Sequence, residues 1–221
     1  MARIDPSRRA QIGRERRERT RQVLLTAAKR VFAEAPIDRL SVDDVVASAG
    51  LAKGTFYYHF RDFDALIVAI GEELAAEFDA LLQPQRSTLA TPAERLAWGL
   101  YAFLRRAERE PSWGRLVRHA RFADDGAASG VREHLAADVA GTLAEGRCAP
   151  FAAPFAVRLV FTMALEYLDE RDTAAPSRPA AAVMVAAILR ALGVADAAAA
   201  GVVARVSAAA GLLEAPAAEG G

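Results

Sequence analysis

The residues best equipped for chemistry sit together in one stretch, Lys53 to Phe60, which reads KGTFYYHF. Four of these eight are Phe or Tyr and a fifth is His, in a chain that is 7% aromatic overall. Phe56 and Phe60 lie four apart, so on a helix they share a face and have the spacing of core residues. Tyr57, Tyr58 and His59 then point partly or wholly outward. Each joins a flat body to a polar tip. The tip can hydrogen-bond a phosphate or a base edge, and the body can pack on a sugar or a thymine methyl. Lys53 adds a positive charge, the helix start offers free N–H groups for phosphate, and Gly54 lets a ligand approach the backbone closely. Two rings would anchor the helix and three would face DNA. The alternative is that Tyr57 and Tyr58 are partly buried packing residues.

The flanking elements must position this helix. TRQVLLTAAKRVFAEAP places Leu24, Ala27, Ala28, Val31 and Phe32 at helical spacing, and Pro36 stops that first helix. In LSVDDVVASAG, Ser41 is an N-cap with Asp44 at N3, a weaker form of the capping box. Gly50 suits a left-handed C′ position. The chain therefore turns sharply and restarts as the KGTFYYHF helix. Asp62 can cap a fourth helix, from 63 to about 82. Three short helices and a tight glycine turn make a helix-turn-helix pattern.

Charge supports an anionic partner. The chain has 28 basic and 28 acidic side chains and no net charge. The balance is uneven, because residues 1–21 hold eight arginines against Asp5, Glu15 and Glu18. Residues 1–16 read as a charged, aperiodic, flexible arm. The single cysteine, Cys148, cannot form an internal disulfide and suits a reducing cytoplasm. The N-terminus lacks the apolar core of a signal peptide, and the longest apolar run, 180–189, is too short to span a bilayer, so no membrane partner is expected.

On these residues the chain resembles the TetR family of bacterial transcriptional repressors. TRQVLLTAAKRVFAE, LSVDDVVASAGLAKGTFYYHF and DALI all match that family's N-terminal domain, over about residues 20–66. The rest resembles the family only in length and helical pattern. The resemblance implies a homodimer on double-stranded DNA, with the third helix in the major groove of a palindromic operator and a small-molecule effector that releases it. By motif match, Lys53, Gly54, Thr55, Tyr57, Tyr58 and His59 would be the recognition contacts. Thr20, Arg21, Ser41 and Val42 would lie near phosphates. The sequence departs from the family at three places. Ala52 stands where Ser or Thr usually begins the third helix, Phe63 where a Lys begins the fourth, and Pro36 where a Gly ends the first. Arg61 is the candidate to replace the missing phosphate contact.

The expected architecture is all-α. It comprises the arm (1–16), a three-helix helix-turn-helix DNA-binding domain (17–64), a helical effector-binding and dimerisation domain (65–194) and an Ala-rich tail (195–221). Trp98, Tyr101, Trp113, His119, Phe122, Phe161 and Tyr167 are the candidate ligand contacts, since an apolar cavity with a few polar groups is what a small molecule needs. The resemblance implies that helices over 154–170 and 180–192 pair across a dimer axis; both are more apolar than one buried face requires, and Val185 and Leu189 are expected in that surface. Three histidines (His59, His119 and His134) and one cysteine leave little material for catalysis. There is no His-x-x-x-His pair or glycine-rich phosphate loop. No enzyme, metal or cofactor is expected. The second function considered is a DNA-binding architectural or protein-partner adaptor with no effector.

Overall fold

The computed structural model describes residues 6–35, 39–119, 129–146, 151–169 and 180–214. The described residues form helices without strands, and the chain divides into two compact units, 1–71 and 72–221.

In the first unit, α1 (Pro6–Glu34), α2 (Val42–Ala49), α3 (Lys53–His59) and the start of α4 (Phe63–Arg86) enclose a core. Leu24, Leu25, Phe32, Val45, Phe56, Phe60, Leu66 and Ile70 are all buried there. Phe63, at the family's usual Lys position, sets its ring edge-on to Phe32 at 5.7 Å, so an apolar contact has replaced a charge. The local signals act as expected. Asp44 accepts from the Ser41 N–H (2.8 Å) and hydroxyl (2.6 Å), and these bonds hold its carboxyl below the usual range. Gly50 adopts φ 66°, and its N–H and that of Leu51 close the end of α2 on Ala47 and Val46. Ala52 starts α3 without a side-chain cap. Asp62 Oδ1 accepts from Ala65 N–H at 2.7 Å and caps α4.

The segment read as a flexible arm is helical from Pro6 onward. Its Arg, Gln, Glu and Ala residues are strong helix formers, and Gln11 bonds Glu15 one turn on at 3.0 Å. Such a helix is solvated all round, so it carries no apolar periodicity to read. The helix α4 also runs past Pro84 to Arg86.

The second unit holds the rest of α4 with α5 (Pro92–Arg109), α6 (Pro111–His119), α7 (Ser129–Glu145), α8 (Ala153–Asp169), α9 (Ala181–Ala191) and α10 (Asp196–Glu214). Thr91 and Glu94 form a full capping box on α5 behind Pro92. The helices α5 and α7 pack closely, and a Cβ at Gly141 would lie 2.6 Å from Pro92 Cγ.

Two expectations are corrected here. The Ala-rich tail is a packed helix. Its residues Ala199, Val202, Val203 and Val206 are buried as α10 docks on α5 and α9, and Arg205 binds the capping Glu94 at 2.8 Å. In consequence α9 is covered within one protomer. Val185 and Leu189 are fully buried, so they are core residues rather than a free surface for a second chain. The exposed apolar side chains on α8 and α9 are Phe155 and Val183.

Candidate nucleic-acid interface and effector cavity

The inner face of α3 is closed by Phe56 (0% exposed) and Phe60 (4%). Its outer face carries Tyr57 (51%) and Tyr58 (64%), which are exposed although Tyr57 sets its ring edge-on to Phe56 at 5.4 Å. His59 is half-buried, with its ring edge-on to Tyr58 at 5.2 Å. A Cβ at Gly54 would meet nothing within 4 Å, so the backbone there is open to a ligand.

Two arginines one turn apart on α1 lie against α3 and its C-cap residue Phe60. The Arg17 guanidinium lies 5.2 Å from the Tyr58 ring centre and that of Arg21 lies 5.3 Å from the Phe60 ring centre. Burial, then the positive fields of Arg17 and Arg21, push the His59 imidazole below its ordinary 6.5. Arg17 is a member of this face that residue spacing alone did not single out. The signal was present, because Arg17 and Arg21 are an i, i+4 pair.

The remaining candidates stand around this face in different states. Lys53 is exposed and paired with Asp43 at 2.9 Å, which raises its pKa. Arg61 is exposed and 2.9 Å from Asp62. Thr55 and Val42 are half-buried and Ser41 is exposed. The Thr20 hydroxyl donates to the Arg16 carbonyl one turn back at 3.0 Å. Lys53 and Arg61 must therefore exchange a carboxylate for any phosphate they take. That exchange is cheap at an exposed pair, since such pairs contribute little.

The second unit contains a cavity of about 90 Å³ between α4, α5, α7 and α8. Phe78, Trp98, Phe103 and Phe161 supply rings to its wall, and Asp79, Arg86, His134 and Asp138 supply polar groups. Of the residues expected at a ligand, Trp98 and Phe161 line it. Trp98 is buried and its indole N–H donates to the Leu82 carbonyl at 3.4 Å, so it presents a face rather than a donor. Tyr101 lines a wider groove of about 890 Å³ beside Arg105, Arg106 and Arg109. Trp113 and Tyr167 are corrected to core residues. Trp113 is buried under the Arg106 guanidinium at 4.7 Å, and the buried Tyr167 hydroxyl donates to Glu108. The His119 side chain and Phe122 lie outside the described residues.

The cavity's polar groups escaped the sequence reading and form two linked sets. Asp138 is nearly fully buried, with one carboxylate oxygen on Arg86 and the other 3.0 Å from Arg95 Nε. Asp79 Oδ1 lies 2.8 Å from His134 Nδ1, and Gln83 Nε2 donates to both Asp79 oxygens at 3.1 Å. Among the described residues no cluster of His, Cys, Asp and Glu is placed to hold a metal ion, and no helix is long and apolar enough to cross a membrane.

The described residues combine an N-terminal helix-turn-helix unit with a helical second unit. Residues 24–70 match the model of the bacterial regulatory proteins of the tetR family. The chain is 47% identical over 51 residues to the uncharacterized HTH-type transcriptional regulator YvdT of Bacillus subtilis, a stretch spanning 23% of this chain and 26% of that relative. Over a greater length it is similar to the crystal structure of RolR with resorcinol. That likeness has a TM-score of 0.68 at 25% identity and covers 86% of this chain and 96% of RolR. FadR from Bacillus subtilis with stearoyl-CoA shares the fold, with a TM-score of 0.56 at 16% identity over 78% of this chain and 97% of that one. Residues 24–70 thus carry the DNA-binding segment that the tetR family model describes, and over its length the chain is similar in fold to RolR.

Proposed function

We propose that the protein is a transcriptional repressor, working in the cytoplasm as a homodimer that holds a palindromic operator and lets go when a small molecule fills the second unit. One observation carries this reading. A buried pair, Phe56 and Phe60, fixes a seven-residue helix whose exposed side presents Tyr57, Tyr58 and His59 beside Arg17 and Arg21. An exposed ring pair beside cations suits a nucleic acid, which offers phosphates to the charges and base edges to the rings. Lys53, Gly54, Thr55, Tyr57, Tyr58 and His59 take the recognition contacts. Thr20, Arg21, Ser41, Val42 and Arg61 lie toward phosphate.

The cavity favours a sensor over an adaptor without an effector. Rings and a few polar groups around a partly open cavity, with Asp138 buried at its wall, are what a small ligand selects. The reading includes no catalytic step. Dimerisation is assigned to the faces around Phe155 and Val183, the exposed apolar groups of α8 and α9.

The test is fluorescence anisotropy with a labelled operator recovered from the source genome. The expected result is one dimer per palindrome, tighter than on shuffled DNA and weakened by cell extract. Equal affinity for shuffled DNA contradicts specific regulation, and a specific complex that no extract fraction weakens favours the adaptor.

A further inference from the structure

The cavity's wall narrows the chemistry of its ligand, and this inference rests on the sensor reading above. Its volume of about 90 Å³ is below the roughly 150 Å³ of an engineered apolar cavity that holds benzene. Even a single small ring requires the wall to widen, and a long acyl chain requires a different cavity. The rings suit an aromatic guest. Phe78 and Phe103 already meet edge-on at 6.1 Å, and Trp98 and Phe161 complete the wall.

The polar side sets the guest's functional group. His134 Nδ1 lies 2.8 Å from the Asp79 carboxylate and 3.2 Å from Gln83 Nε2, and in the neutral tautomer with the proton on Nδ1 it donates to Asp79. That tautomer leaves Nε2 as a hydrogen-bond acceptor on a residue that lines the cavity. Gln83 donates to the same carboxylate and so holds the dyad in place. A guest carboxylate fits poorly. The cationic groups Arg86 and Arg95 are both set on the buried Asp138, and Asp79 would repel a second anion. A phenolic hydroxyl is neutral near pH 7, with a pKa of about 10, and is a strong donor.

We propose that this cavity takes a compact aromatic ring bearing hydroxyl groups, one of which donates to Nε2 of His134. Titration calorimetry on the full chain tests it with five probes: resorcinol, phenol, 1,3-dimethoxybenzene, benzoate and stearoyl-CoA. Resorcinol and phenol bind, and the dimethoxy compound, which has the ring without the donor, binds about tenfold more weakly. His134→Ala weakens resorcinol by about tenfold and abolishes its advantage over the dimethoxy compound. Gly99 lines the cavity and a Cβ there meets nothing within 4 Å. Gly99→Leu therefore keeps the helical circular dichroism and operator affinity while excluding resorcinol. Equal binding of resorcinol and its dimethyl ether overturns the proposal, as does benzoate or stearoyl-CoA binding where resorcinol does not. In the latter case the sensor reading survives with another ligand. If no probe binds, the hydroxylated-ring class is wrong, and release of operator by cell extract decides the sensor reading separately.

Discussion

The outer face of α3 and the cavity of the second unit use the same residue types in opposite ways. On α3 Tyr57 and Tyr58 are outside, and Phe56 and Phe60 are inside. In the second unit the cavity-lining Phe78 and Trp98 are as buried as Trp113 and Tyr167, so a cavity residue and a core residue look alike. Trp98 and Trp113 are both buried tryptophans of one small unit, yet one borders the cavity and the other lies under Arg106. Function on a surface is set by what a seven-residue helix leaves exposed. Function in a cavity is set by which distant helices fail to fill the space between them.

The strongest way to break this comparison is to charge the inside. Leu189→Asp puts a carboxylate at a fully buried site, which costs several kcal/mol without a partner. It is expected to lose the cooperative thermal transition of the second unit. By contrast Val183→Asp, at an exposed position, keeps the fold and shifts light scattering from dimer toward monomer. A folded, monomeric Leu189→Asp would return α9 to the dimer face. Next in size, Phe56→Ala removes the anchor of α3 at a cost of about 3–5 kcal/mol. It should lower the unfolding midpoint and abolish operator binding together. Operator binding retained in that variant would show that α3 needs no aromatic anchor.

Smaller effects sharpen the outer face. Tyr58→Ala and His59→Ala are each expected to cost about 1–3 kcal/mol on a specific operator if they touch bases, leaving stability unchanged. Equal loss on random DNA would assign them to phosphates. The smallest effect is on pH. The folded state disfavours the imidazolium of His59, so its contribution to stability is full above 6.5 and declines as pH falls through the depressed folded value. A nearby phosphate restores the charged form, so DNA binding takes up a proton and operator affinity rises as pH falls through that range. His59→Ala should flatten the slope, and an unchanged slope would place His59 away from phosphate.

These differences also explain what was legible in the sequence. Ser41, Gly50, Asp62 and Thr91 act within a turn or two of their own positions, so their caps and turns were readable. So were Phe56 and Phe60, whose roles follow from a spacing of four. The solvated helix before Thr20 was not, because periodicity reports burial and this segment has none. The tail reads as a weak helix, and its packing was not legible because alanine signals little by itself and its burial depends on α5 and α9. The cavity's polar groups were invisible for a stronger reason. Asp79 and His134 are 55 residues apart, and Arg86 and Asp138 are 52 apart. Only the packing of α4 against α7 brings such pairs together.

The central claim is that the exposed face of α3 reads sequence and that the second unit controls it. Selection of bound fragments from the source genome, at moderate salt and with or without cell extract, tests both halves at once. The account predicts recovery of one palindrome, with half-sites about 34 Å apart or a multiple of it, and its loss from the bound pool when extract is added. Recovery of random sequence, unchanged by extract, would contradict it.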